Sequence, residues 1–260
     1  MRSLGRIERK NLQLDIRWGE LDLETTQRRA VELAALTPDV ILASGTGGLA
    51  AMQRATRTTP TVFVQVSDPV AQGFVTNIAH PGGNITGFAA YESSLGGKWL
   101  DLLKQMVPDL RRAAVIFNPE IAPQSKLLFG AVQAARQSMG VEVKAAPLHA
   151  ASDIEPAIAR VSQESNAGLV LLPDNFSNAH VSMIVQLAAR YHLSAIYTER
   201  PSVDAGGLMR YAIEFRRTVP AGGHLRRSHP AGHAGWRPVD PVSDQIHPEH
   251  QSDDGARARH

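Results

Sequence analysis

The 260-residue sequence predicts an α/β protein built on parallel sheets. Three observations carry that prediction. Short apolar or alternating runs recur and are separated by amphipathic stretches of helical period, the order that crossover helices impose on parallel strands. The apolar run at 39–43 carries few charges, as a strand covered on both faces does. Several of these runs stop at polar turn signals, Ser67-Asp68-Pro69, Asn118-Pro119 and Pro173-Asp174-Asn175. In open α/β sheets that end of a strand is where ligands bind.

Taken in order, Leu12 to Trp18 alternates with period two and reads as a strand, and 22–37 reads as an amphipathic helix with Leu23, Ala30, Leu33 and Ala34 on one face. Residues 39–43 form the next strand, expected to be buried on both faces, followed by Ser44-Gly45-Thr46-Gly47-Gly48 and a helix to about residue 57. Thr61 to Val66 is a strand that breaks at Asp68-Pro69, because Pro69 fixes its own φ and pushes Asp68 out of the helical region. A short helix-like piece, the breaker cluster His80-Pro81-Gly82-Gly83-Asn84 and a strand from Ile85 to Phe88 come next.

The same pattern then repeats. Helices are expected at 95–110, at 124–139 with Gly140 as cap, from Ser152-Asp153 onward, and at 179–192. Strands are expected at 113–117, 141–146, 167–172 and 194–197, the last ending in Thr198-Glu199-Arg200-Pro201.

Composition narrows the function classes. Hydrophobic residues at 43% and charged residues at 20% fit an ordinary globular protein, and a net charge of +2 gives nucleic-acid binding no support. The absence of cysteine excludes disulfides, thiolate metal sites and cysteine nucleophiles. No catalytic constellation stands out: His80, His149 and His192 sit at turns or a helix end without a nucleophile in frame. No cofactor is expected either.

Two loops admit two readings each. After a strand and before a helix, the glycines of 44–48 let backbone N–H groups face an anion, with the Ser44 and Thr46 hydroxyls as further donors beside Gly47. The alternative is a tight turn in which Thr46 caps the helix. The loop is neither a lysine-bearing phosphate loop nor a dinucleotide fingerprint. The Asp68 carboxylate would accept from a ligand ammonium, or bond to its own backbone in an Asx turn. Asn118, Asp174, Asn175 and Glu199 share a position at the ends of strands, so they would form a second wall of a cleft, although each alone also serves as a turn residue or cap. Tyr91 and Phe176 would stack on a flat ligand or belong to the core.

The segments SDPV, PGGNITG, SLGGKWLDLLKQMVPDL and RRAAVIFNPE resemble the substrate-binding proteins of ABC importers, in the group that includes tryptophan- and tyrosine-type receptors. The likeness runs from about Asn11 to Phe215, and PGGNITG is its most specific piece. It implies two Rossmann-like lobes of the type I periplasmic-binding-protein fold that close on a small ligand and then dock on a membrane permease. It also implies a periplasmic location, ligand contacts in the 44–48 loop, and hinges near Gly87 and Gly206-Gly207. The organisation expected is an incomplete first lobe at 1–87, a second lobe at 88–203, a return segment toward the first lobe at 204–215, and an irregular tail at 216–260. Two other classes fit the same architecture: an effector-sensing domain of a regulator, which needs a helix-turn-helix that Met1 to Trp18 does not supply, and an α/β enzyme.

Both ends carry further expectations. The first residues lack the basic-then-apolar pattern of a secretory signal, so against the family the chain is expected to start late, without a first strand. After Phe215 the sequence is rich in proline, arginine and histidine, with His224, His229, His233, His247, His250 and His260 among the chain's ten histidines. It reads as unable to bury a core. With suitable codons, bases that encode SDQIHPEHQSDDGA read PTKFTLSINLTTA, a strand-like run, when each codon starts one base later, so a frameshift is expected after about Phe215. The His229/His233 and His247/His250 spacings are read as adventitious rather than physiological metal sites. The second lobe is expected to be better ordered than the first.

Overall fold

A computed structural model describes residue 5, residues 7–19 and residues 21–212. The expectations for the tail, the frameshift and the tail histidines lie outside the described residues. Two parallel sheets organise the rest. The first has the order β1 (Ile41–Ser44), β2 (Thr61–Ser67), β3 (Ile85–Tyr91), and the second β5 (Glu142–Pro147), β4 (Arg112–Phe117), β6 (Ala167–Leu171), β7 (Ser194–Tyr197), β8 (Met209–Arg210).

The first unit begins with α1 (Leu23–Ala35), capped by Asp22, whose carboxylate accepts from the Thr25 N–H at 2.6 Å. Strand β1 (Ile41–Ser44), helix α2 (Thr46–Ala55), strand β2 (Thr61–Ser67) and strand β3 (Ile85–Tyr91) follow. Ile41, Ala43, Leu49, Met52, Phe63 and Ile85 pack with Ala30 into one core. Contrary to expectation, β1 is not buried on both faces: Leu42 is 66% exposed, because α1 and α2 both pack on the Ile41–Ala43 side. The expected strand at Leu12–Trp18 is also not formed. Only Leu12 bridges, to Glu8, while Leu14, Ile16 and Trp18 stay exposed. Alternation makes a strand only where a neighbour supplies ladder bonds, and no described strand pairs with residues 13–18.

The piece after Pro69 is a set of turns rather than a helix, closed by Gln72 N–H to Asp68 C=O and Gly73 N–H to Val70 C=O. Gly87 lies mid-strand, paired with Phe63. A Cβ there would stand 2.1 Å from the Phe63 carbonyl oxygen, so only glycine lets β3 lie this close to β2. Gly87 is therefore held inside the sheet. The chain leaves the first sheet only after Tyr91.

The second unit comprises α3 (Leu95–Met106), β4 (Arg112–Phe117), α4 (Ser125–Ala134), α5 (Arg136–Met139), β5 (Glu142–Pro147), α6 (Ile154–Ser162), β6 (Ala167–Leu171), α7 (Asn175–Ala179), α8 (Val181–Arg190), β7 (Ser194–Tyr197), α9 (Pro201–Asp204) and β8 (Met209–Arg210). The helix expected at 124–139 is two pieces, α4 and α5, and the one at 179–192 is α8, preceded by the short α7, which the sequence pattern does not predict. Strand β4 explains the uncharged sequence. Ala113, Val115 and Phe117 face a core with Trp99, Leu103 and Leu128, while Ala114 and Ile116 face another with Ile154, Ile158 and Ile184. Both faces are covered, so every position from Ala113 to Phe117 is apolar. On α3, Gly96, Trp99, Leu100 and Leu103 are buried at helical spacing. The 205–212 segment does not return to the first sheet within the described residues: β8 pairs in parallel with β7 and extends the second sheet.

Candidate functional site

The carboxyl ends of the two sheets meet, and the contact is made by the loop after β1. Gly45 is the N-cap of α2, and the N–H groups of Thr46, Gly47 and Gly48 precede the first helical bond, Leu49 N–H to Gly45 C=O at 3.0 Å. No side chain caps this end. Its partial positive charge is thus carried by backbone donors alone. A Cβ on Gly47 would lie 3.1 Å from the Ile121 carbonyl oxygen of the second unit, and one on Gly45 would lie 3.9 Å from Asn175 Nδ2. The start of α2 therefore abuts two turns, the one after β4 and the one after β6.

Those turns are built by the residues the sequence singled out. Asn118, 2% exposed, accepts from the N–H groups of Glu120 at 2.9 Å and Ile121 at 3.2 Å, which folds the β4 turn back. Asp174, 7% exposed, caps α7 by accepting from Ser177 N–H at 2.7 Å and Ser177 Oγ at 2.9 Å. It also accepts from the Asn118 N–H at 3.2 Å, tying the two turns together. Burial pushes its pKa above the usual carboxylate value, against these hydrogen bonds. Asn118 and Asp174 are thus spent on shaping the wall, and Asn175 is the exposed side chain of the set.

On the opposite side, Ser44 is exposed and its Oγ donates to Gln65 Oε1 at 2.9 Å. Thr46 is not the cap but the first helical residue. Its buried Oγ1 accepts from the Ser67 N–H at 3.1 Å and pins α2 to the end of β2. Gln65 and Asp68 both have positive φ, 57° and 41°. Non-glycine residues in that region are strained and persist where the surroundings hold them. The Asp68 carboxylate is what holds its own: Oδ1 accepts from Ala71 N–H at 3.2 Å, and Oδ2 from Ser93 N–H at 3.3 Å and Ser93 Oγ at 2.8 Å. Asp68 thereby locks the end of β2 to the crossover that follows β3.

Tyr91, 8% exposed, sits at that crossover and does not offer a stacking face. Its ring meets Trp99 edge-on at 6.2 Å, and its hydroxyl lies 3.0 Å from the Thr198 carbonyl oxygen and 3.1 Å from Glu199 Oε1. Burial first, and the Glu199 charge second, push the phenol pKa well up, so Tyr91 stays protonated as a donor. Glu199 is thus engaged by a tyrosine of the first sheet. Phe176, 4% exposed, packs in the second core against His180 at 4.5 Å.

Several residues that build this site carried no signal in the sequence. Ser93 holds Asp68, Gln65 reaches Ser44 because β2 bulges between Phe63 and Val66, and Gln72 Nε2 donates to the Ser67 carbonyl. Gln124, 6% exposed, donates from Nε2 to the Pro173 carbonyl at 2.7 Å, while its Oε1 is sealed from solvent without a partner. All but the Gln72 contact join segments distant in sequence. Among the described residues, no group of three histidine, aspartate or glutamate side chains is placed to hold a metal ion.

The profile of the ABC transporter substrate binding protein family matches residues 2–224. The chain belongs to that family. A tyrosine-binding protein of Clostridioides difficile (strain R20291) is 26% identical over 215 residues, which cover 83% of this chain and 61% of that protein. The chain thus spans about three fifths of the length of that relative. Among solved structures, a conserved domain protein of Vibrio cholerae O1 biovar eltor superposes with a TM-score of 0.73 at 23% identity, over 81% of this chain and 70% of the other. An ABC domain of Streptococcus pneumonia in complex with L-Trp superposes with a TM-score of 0.67 at 18% identity, over 74% and 64% of the two chains. The fold is accordingly that of the type I periplasmic binding proteins, and the family is one of substrate-binding proteins. Among the described residues, no helix is long and apolar enough to cross a membrane.

Proposed function

We propose that this chain is the solute-capturing receptor of an ABC importer, binding a small polar ligand between its two sheets, with an aromatic amino acid as the ligand class. The observation that carries this reading is the abutment of the uncapped start of α2 on the turns after β4 and β6. A helix N-terminus with free N–H groups suits a carboxylate. The names of the relatives, a tyrosine-binding protein and a protein complexed with L-Trp, support the ligand class.

In this reading the chain through Tyr91 belongs to a first lobe and Glu92 to Arg210 to a second, which moves the expected boundary from residue 87 to residue 91. The crossover after Tyr91 and the 198–201 segment form the joint between them. Ser44, Thr46, Gly47 and Asn175 line the cleft. Asn118, Asp174, Asp68, Tyr91 and Glu199 hold its walls and joint in place. The protein captures without turnover, works outside the cytoplasmic membrane and delivers to a permease.

A thermal-shift panel of the common L-amino acids tests this. L-Tyrosine and L-tryptophan are expected to raise the melting temperature, with either compound recovered unchanged afterwards. A panel in which neither raises it, or in which one is chemically converted, overturns the reading.

A further inference from the structure

Among the described residues the two sheets end in four edge strands, β1, β3, β5 and β8. Three of them are guarded against pairing with a foreign strand. On β5 the exposed Glu142, Lys144 and Pro147 place charge and a missing N–H along the edge. Strand β8 is only Met209–Arg210, too short to template a neighbour. Strand β3 pairs with β2 through two register shifts, between Phe63 and Val66 and between Val66 and Ser67, and such irregularities bend an edge away. Strand β1 has none of these devices. Ile41 N–H donates to the Pro60 C=O at 2.8 Å and Gly45 N–H to the Val64 C=O at 2.9 Å, so the odd-numbered backbone groups face β2. Those of Leu42 and Ser44 face outward, where no described strand meets them. The side chains there are uncharged: Val40 is 55% and Leu42 66% exposed, and Ser44 is exposed as well.

We propose that this chain forms a symmetric dimer in which the open edge of β1 pairs with β1 of a second copy. Turned about a two-fold axis at Leu42, the strand meets itself antiparallel. Leu42 opposes the partner's Leu42 and exchanges both N–H to C=O bonds with it, while Val40 opposes Ser44. No charge on the strand meets its own image across the axis, and two exposed leucines cover each other. The chain's own segments suit the edge less well. The Leu12–Trp18 run is tied to α1 by Arg17 and Glu32, 3.4 Å apart. Residues 213–260 follow β8 on the other sheet, and Pro220, Pro230, Pro238, Pro241 and Pro248 each remove a ladder donor. The dimer stands whether or not the receptor reading does.

The chain has no cysteine, so an introduced one reports its own neighbours. Opposed residues of a hydrogen-bonded antiparallel pair have Cα atoms about 5.5 Å apart, within the span of a disulfide. On mild oxidation of the full chain, Leu42→Cys is expected to cross-link into a covalent dimer. Phe88→Cys, similarly exposed but on β3, two strands from the axis, is expected to stay uncross-linked. In sedimentation velocity over a concentration series the wild type is expected to run as a dimer. Leu42→Lys sets a charge against its own image and is expected to weaken the dimer at least about tenfold. A wild type that stays monomeric throughout the series overturns the proposal, and protection of the Leu42 amide in that monomer assigns the edge to the chain's own residues. Growth beyond the dimer, the mark of head-to-tail pairing of β1 with β3, also overturns it. Equal cross-linking of Phe88→Cys and Leu42→Cys does the same. Should Leu42→Lys fail to fold, the wild-type mass and the two cysteine variants decide the matter.

Discussion

At the scale of single residues, the carboxylates that read as ligand contacts are already occupied. Asp174 takes three hydrogen bonds and Asp68 three, all from the protein's own donors. Removing Asp174 strands the Ser177 and Asn118 N–H groups in a buried wall. Asp174→Ala is therefore expected to lower unfolding stability by about 1–3 kcal/mol in urea denaturation, and an unchanged midpoint would show the wall to be held by something else. Tyr91→Phe removes the hydroxyl that joins the first sheet to Thr198 and Glu199. The expected cost is about 0.5–1.5 kcal/mol, read from the same denaturation curves. These residue types at strand ends were legible because turns and caps demand them. Whether such an oxygen faces a ligand or a neighbouring N–H depends on chain segments far apart in sequence, as with Ser93 and Asp68, and no local pattern encodes that.

At the scale of elements, legibility followed how completely each element is covered. Strand β4 was readable because both its faces are buried, and α3 because Gly96, Trp99, Leu100 and Leu103 form one stripe. The alternation at Leu12–Trp18 was equally clear, yet no described strand offers it a ladder. Strand β3 was legible in position, but the reason for Gly87 was not, since it lies in the opposing Phe63 carbonyl. Gly87→Val is expected to break the β2–β3 pairing and to shift the melting temperature down sharply, with loss of protection at Phe63 in hydrogen exchange as the specific sign. The 3₁₀ turn before α6 gives a pH-dependent case. Asp153 accepts from the N–H groups of Ala150 and His149, which hold its carboxyl below the usual range. A lowered folded pKa stabilises above the unfolded value of about 4 and is lost as the pH falls through the folded one. The stability gap between wild type and Asp153→Asn is accordingly expected to shrink between pH 7 and pH 3, and a constant gap would contradict it.

For the whole molecule, the central feature is that two parallel sheets bring their carboxyl ends together, with α2 on one side and the turns holding Asn118 and Asp174 on the other. The alternation of elements was enough to foresee parallel sheets, and the PGGNITG and SDPV segments were enough to foresee the family. How closely the loops approach was not foreseeable, because the distance from Gly47 to the Ile121 carbonyl is set by the joint and not by either loop. That distance makes Gly47 the most direct probe of closure. A valine there would press its side chain into the opposing turn and hold the sheets apart. Calorimetric titration of L-tyrosine into the wild type and into Gly47→Val is the decisive measurement. Closure of the two sheets on a ligand predicts saturable one-to-one binding to the wild type and its loss in Gly47→Val with the fold intact by circular dichroism. Equal binding by both proteins would contradict it.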